Sequence, residues 1–351
     1  MGKDNLRLSN EELTANIDDE FKTVLQTLRT TFSYLSNSKK GRGTHTRGVA
    51  GYGNAKLILP TSFPSSEYFK EDNRPVIIRH SSPGGRDDDR DRDGMAASLK
   101  FFNVGDDLEG PGNLDILMNA GRQLFVRNIH DFSTFVHANP EERKALVASG
   151  VMMEPELIEA YRVRGSFIDS YYHSWQCFEF WNESEVPSYI KFRLIPGDRG
   201  PERGFPQKGF KAEGAPSMDR LPDDTRSESF LRKDWIYRVQ NSGVKYILQG
   251  QVHPNSDTQD GNPEFLNPAV AWDESLYQWH DIYEINIEEP ILDNAKLSRL
   301  DMNPNRSPTC IKIPLATTPH QYASLGHARA IIYPKIRSVR ASSESEENQK
   351  N

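Results

Sequence analysis

Cysteine is nearly absent from this chain of 351 residues: Cys177 and Cys310 are the two it has. Disulfides therefore do not hold the fold together, and a thiolate zinc cage or iron–sulfur cluster is excluded. A reducing, cytoplasmic interior is the expected setting. Long apolar runs are missing too, since no stretch reaches the roughly 18 residues of a membrane span. Met1-Gly2-Lys3-Asp4-Asn5-Leu6 offers no apolar signal core, and Leu6 stands where a myristoylation signal wants Ser or Thr. Positive charge is in deficit: 43 Lys+Arg against 50 Asp+Glu leave a net charge of -7. An acidic chain repels phosphate backbones, so nucleic acid is not an expected partner.

What is present reads as an ordinary soluble globular composition, 26% charged and 36% apolar. Ser9-Asn10-Glu11-Glu12 reads as a capping box. Behind it Leu13, Ile17, Phe21, Val24, Leu28, Phe32 and Leu35 recur at three and four, which predicts one helix of about seven turns. From Val49 short β-type segments dominate: 56–59, 75–81, 96–102 and 114–119. Further on, Ile190, Phe192 and Leu194 alternate with polar residues, as do Val244, Tyr246 and Leu248, and then Tyr283, Ile285 and Ile287. Period two gives one buried and one wet face, as in an antiparallel sheet or barrel. Helices are predicted over 131–137, 140–148 and 155–163, with a last one beginning near Thr318-Pro319. The charge run Asp87–Asp93 reads as a solvated turn, because it lacks the ligand spacing of a calcium loop.

Three polar features carry chemistry. Arg329 precedes Tyr333 by four residues, so on a helix both share a face, and the fixed guanidinium charge favours a phenolate. Pro334 follows at once and must cost that helix a hydrogen bond or end a turn. His45 sits between Thr44 and Thr46 in a stretch with Gly41, Gly43 and Gly48, where a neutral imidazole can take and return a proton. Asn119 ends an apolar strand. Each alone has a plainer reading: a buried tyrosine beside a surface arginine, a histidine bonded to loop backbone, a turn-forming asparagine.

In series these segments resemble the haem catalase superfamily, and within it the small catalase-related branch that includes coral allene oxide synthase. Arg42-Gly43-Thr44-His45 resembles the distal strand, whose histidine faces the iron. Pro75–Ser81 is similar to the next strand, whose arginine (Arg79 here) meets a haem propionate, and Ser98-Leu99-Lys100-Phe101 to the one after. Asn119, with Leu124-Phe125-Val126-Arg127-Asn128 and Asp131–His137, resembles the distal asparagine, the haem-stacking phenylalanine and the downstream helix. Arg329 and Tyr333-Pro334 resemble the proximal motif, and Arg340 stands at a further propionate arginine.

The resemblance implies an α+β fold: a catalase-like core on an eight-stranded antiparallel β-barrel with flanking helices. It implies ferric haem b, with Tyr333 on the iron and Arg329 keeping it anionic. Arg42, Arg79 and Arg340 would pair with propionates, Phe125 would stack on the ring, and His45 and Asn119 would face the substrate. The expected domains are an N-terminal helix (1–38) packing on the core, a haem domain (39–340) and a disordered tail (341–351). Thr44 replaces the aliphatic residue that ordinary catalases place before the histidine, and it agrees with allene oxide synthases. Tyr171-Tyr172-His173, Arg193–Asp198 and Ala271-Trp272-Asp273 also resemble that branch. The expected activity is therefore dehydration of polyunsaturated fatty acid hydroperoxides to allene oxides, with a lipoxygenase as the partner that supplies them. Hydroperoxide lyase, a small catalase or peroxidase, and a non-enzymatic haem or lipid carrier are the other readings. Phe63, Tyr68 and Phe69 are candidates for an acyl channel.

Overall fold

The computed structural model describes residues 5–84, 87–153, 165–183, 187–202, 219–254 and 261–348, with the side chains of 341–348 left aside. Its strands are β1 (Gly48–Leu57), β2 (Asn73–Ser81), β3 (Ala96–Phe101), β4 (Leu114–Ala120), β5 (Tyr172–His173), β6 (Phe178–Trp181), β7 (Pro187–Pro196), β8 (Val244–Pro254), β9 (Trp279–Pro290) and β10 (Ile311–Lys312). Its helices are α1 (Asn10–Thr14), α2 (Asp19–Ser38), α3 (Ile129–His137), α4 (Pro140–Ala148), α5 (Phe230–Ser242), α6 (Asn294–Arg299) and α7 (Ser324–Asn348).

The strands pair antiparallel in the order β7-β5-β4-β3-β2-β1-β9-β8, and β8 returns to β7. That closes an eight-stranded barrel, as the sequence resemblance implies. β6 and β10 extend it from one edge of β7. The alternating residues fill its interior: Ile190, Phe192, Leu194, Tyr246, Leu248, Tyr283, Ile285 and Ile287 belong to one buried cluster. Phe63, Tyr68 and Phe69 lie in the same cluster, against Phe180 and Tyr283.

β1 starts well before the expected position 56. Gly48, Gly51 and Gly53 leave no apolar side chains to show a period, yet the strand needs them. A Cβ on Gly53 would stand 2.0 Å from the Asn286 carbonyl oxygen, where β1 crosses β9 at a register shift. The N-terminal stripe is two helices rather than one. The capping box at Ser9 and Glu12 forms as expected. The chain then breaks, and Asp18 caps a second helix by accepting from the Phe21 amide at 2.7 Å. The apolar spacing runs through the break although the two helices pack against different clusters. Leu13 enters the barrel cluster, whereas Phe21, Leu25 and Leu28 pack on Ile129, Leu325, Ala328 and Ile332.

The helices at 131–137 and 140–148 form, the first beginning at Ile129. The one expected at 155–163 lies outside the described residues. α7 starts at Ser324 rather than near Thr318, because the Gln321 side chain accepts from the Thr317 amide at 2.6 Å and the Thr318 amide at 3.2 Å and holds a turn there. It continues through Pro334.

The charge run 87–93 is not simply solvated. Asp89 is buried and accepts from the Leu231 and Arg232 amides at 3.1 and 3.3 Å, capping α5 in place of a local side chain. Asp93 is buried and accepts from the Gly84 amide at 2.6 Å. A second polar device joins barrel to helix. Asp115 on β4, fully buried, holds the Lys100 ammonium at 2.9 Å and the Arg306 guanidinium; Arg306 pairs with Asp301 at 3.0 Å, and Asp301 with Arg337 of α7 at 3.2 Å.

Candidate active site

Strand register assembles one rim of the barrel. Gly48 pairs with Ser81, Ser81 with Ala96, Ala96 with Asn119, and Asn119 with His173. His45 leads into the first strand of this row, so the register brings His45, Ser81 and Asn119 to the same end, although 74 positions separate the first from the last.

His45 is half-buried, with its backbone in the left-handed region at φ 52°. A non-glycine residue there costs of order 1 kcal/mol and needs support. Arg79 supplies it, donating to the His45 carbonyl at 2.7 Å. The imidazole Nδ1 lies 2.9 Å from the Ser81 hydroxyl. Burial, then the charges of Arg79, Arg329 and Arg42, push this imidazole down to about 3. It is therefore a neutral base at ordinary pH. Ser81 is a site residue that sequence reasoning passed over, because a serine ending a strand carries no signal of its own. Thr44 is half-buried beside His45.

The α7 helix delivers the second half. Arg329 Nε donates to the Tyr333 phenol oxygen at 3.1 Å, with the guanidinium carbon 5.4 Å from the ring centre. The same guanidinium donates to the Gln176 side-chain oxygen, a partner that the sequence did not suggest. Gln176 Nε2 is buried with no partner among the described residues. That the charge of Arg329 is felt at His45 places both halves in one neighbourhood.

Arginines surround this neighbourhood. Arg79 is buried; burial and then the charge of buried Arg340 lower it to about 10. Its Nε has no partner among the described residues. Arg42 donates to the Leu300 carbonyl and stands close enough to influence His45. Two buried like charges beside an unmatched donor fit an anionic group, which would satisfy the donor and relieve the repulsion. A phenol oxygen already accepting from a guanidinium suits a hard, electron-poor metal centre. Phe125 is half-buried in the helical layer, edge-on to Phe135 with ring centres 4.6 Å apart. So the structure brings His45, Arg42, Arg79, Arg329, Tyr333 and Arg340 together through their charges and bonds. Asn119 joins them through strand register.

Two clefts lie nearby. One borders Arg329 and Gln176 and is lined by Cys177, Phe178, Ile313 and Tyr322. The other gathers His173, Lys191, Arg122 and Trp272, and so unites the sequence segments around 171–173 and 271–273. Among the described residues, no helix is long and apolar enough to cross a membrane.

No family model matches the chain. It is 58% identical over 224 residues to the uncharacterized protein y4iK of Sinorhizobium fredii, covering 64% of this chain and 97% of that protein. It is 27% identical over 320 residues to a linolenate 9R-lipoxygenase of Nostoc sp., covering 90% of this chain and 41% of that one. It is likewise 27% identical over 331 residues to an allene oxide synthase-lipoxygenase protein of Plexaura homomalla, covering 92% and 30%. The chain thus spans less than half of either lipoxygenase-containing relative. Among solved structures, catalase A from Saccharomyces cerevisiae superposes with a TM-score of 0.65 at 15% identity, over 86% of this chain and 61% of that one. A fungal catalase gives 0.64 at 14% identity, over 86% and 59%. The fold is therefore that of the catalases.

Proposed function

The chain shares a family with the Sinorhizobium fredii protein and, by its own likenesses, belongs to the catalase-related branch of the haem catalase superfamily; from that premise we propose that it is a haem enzyme converting polyunsaturated fatty acid hydroperoxides to allene oxides. The observation that carries the reading is the Arg329–Tyr333 bond on α7 within electrostatic reach of a neutral His45. Tyr333 would ligate ferric haem b, and Arg42, Arg79 and Arg340 would hold its propionates, since guanidinium forks suit carboxylates. When bound, the haem supplies the one-electron chemistry that cleaves an O–O bond.

The chain's own residues do the rest. Arg329 would hold the Tyr333 phenol oxygen in place through its Nε–H. His45, its Nδ1 held 2.9 Å from the Ser81 hydroxyl, would take the hydroperoxide proton on Nε2 in the tautomer that carries its hydrogen on Nδ1, and can return that proton to the departing oxygen. Asn119, on the same rim, would orient the peroxide. Thr44, in place of an aliphatic side chain, restrains the imidazole from full catalase chemistry. A lipoxygenase is the natural supplier of the substrate, given the relatives that carry one.

The test is incubation of haem-loaded protein with linoleate and arachidonate hydroperoxides and identification of the products. Allene oxides or their hydrolysis products are expected. Chain-cleaved aldehydes would make it a lyase. Vigorous oxygen release from hydrogen peroxide would make it a catalase, and no turnover of any peroxide would leave a carrier.

A further inference from the structure

Three side chains outside this site converge where α2, α3 and the segment before α7 meet. Glu20 lies in the first turn of α2, His130 in the first turn of α3, and His320 four residues before α7. His320 Nε2 is 2.9 Å from Glu20 Oε1. The two imidazole rings stand 4.4 Å apart at 37°. One donor atom from each of the three lies within 4.8 Å of the others. Positions 20, 130 and 320 share no local motif, so the fold gathers them.

The backbone around them is pinned. The His130 amide donates to the Pro319 carbonyl at 3.3 Å, and the Asp18 amide to the Thr317 carbonyl at 2.8 Å. Beside them, His130 Nδ1 lies 3.7 Å from the largely buried Asp131 carboxylate, beyond hydrogen-bond distance. Metal-ligating imidazoles usually have such a carboxylate near their other nitrogen. Two imidazole nitrogens and one carboxylate oxygen match the donors of zinc-type sites, whereas calcium and magnesium want oxygen throughout. Zinc needs its donors about 2.0–2.2 Å away. Side chains 40–54% exposed can rotate to that distance, and their exposure leaves a fourth position for water.

We propose that Glu20, His130 and His320 bind a divalent transition-metal ion of the zinc type, which staples the start of α2 to the start of α3 and to the approach of α7. The site is separate from the haem reading and does not depend on it. Its consequence is mechanical: an ion there would tie the N-terminal helix to the helix that carries Tyr333.

Isothermal titration of the metal-stripped, haem-loaded full chain with Zn2+ tests it, alongside thermal melting with and without Zn2+. One equivalent at micromolar affinity or better is expected, with a raised melting temperature and no response to Mg2+ or Ca2+. Glu20→Gln should weaken binding about tenfold or more. The His130→Ala/His320→Ala pair should abolish it, and single His320→Gln serves if the pair folds poorly by circular dichroism. Absence of Zn2+ binding, or wild-type stoichiometry and affinity in these variants, would reduce the cluster to an ion pair beside two packed rings and overturn the proposal.

Discussion

Arg329 and Tyr333 meet across 3.1 Å on one face of α7, the guanidinium Nε donating to the phenol oxygen. The pair can be tested one member at a time. Tyr333→Phe should lose the tyrosinate–haem absorption features and at least about a hundredfold in turnover, the scale on which removal of a ligand or of one stabilising donor acts. Arg329→Leu should retain hemin with altered bands. A fully active Tyr333→Phe would contradict the proximal assignment.

Ser81 holds the imidazole to which we assign the proton transfer. Ser81→Ala removes the partner of His45 Nδ1, and a typical bond of this kind is worth about 1 kcal/mol. Hydroperoxide turnover should fall by about five- to tenfold, and hemin binding should be unchanged. Steady-state kinetics alongside a hemin titration separate the two.

Arg79 is buried with an unmatched Nε and a like charge nearby. Arg79→Gln should weaken hemin binding by roughly tenfold to a hundredfold, as loss of a charge-assisted pair does. Hemin loading should also raise the melting temperature less in this variant than in the wild type. Equal affinity in the two proteins would remove the propionate role.

Acid should destabilise the fold through its neutral histidines. Burial lowers both His45 and His80 to about 3, while an unfolded imidazole titrates near about 6.5. Between those values the unfolded chain holds more protons, so stability is complete above about pH 6.5 and declines as pH falls toward 3. Each imidazole contributes up to about 1.4 kcal/mol per pH unit in that window. His80→Gln should flatten the slope of melting temperature against pH, whatever it does to the absolute value at neutrality.

Asp115 neutralises Lys100 and Arg306 inside the barrel wall. Asp115→Asn leaves two buried cations short of a partner, and breaking such a pair costs about 3–5 kcal/mol. Denaturant unfolding should show that loss, with Tyr333 displaced as the Asp301–Arg337 connection slackens.

Much of this was legible from residues alone, for physical reasons that differ by element. β7, β8 and β9 declared themselves because alternate apolar residues enter the barrel cluster, although in β7 and most of β8 the intervening Lys191, Arg193, Gln249 and Gln251 are buried as well. β1 stayed half-hidden because its close crossing of β9 demands glycine, which leaves no pattern. The break at Asp18 was invisible because the three- and four-residue apolar spacing continues across it while α1 and α2 pack on different clusters. Within the site, the Arg329–Tyr333 spacing gained meaning only in series with the other segments, since alone it reads as a buried tyrosine beside a surface arginine. Ser81 and Gln176 did not, since only strand register and a long-range contact give them a role.

Gly48 sets how this site can diversify. A methyl group there would stand 2.3 Å from the His80 carbonyl oxygen and 2.9 Å from the Arg79 guanidinium carbon. The sill on which the arginine rests is thus immovable, whereas Thr44, Thr46 and Arg47 form shoulders with some access to solvent. New reactivity around this imidazole has to be carved from those shoulders.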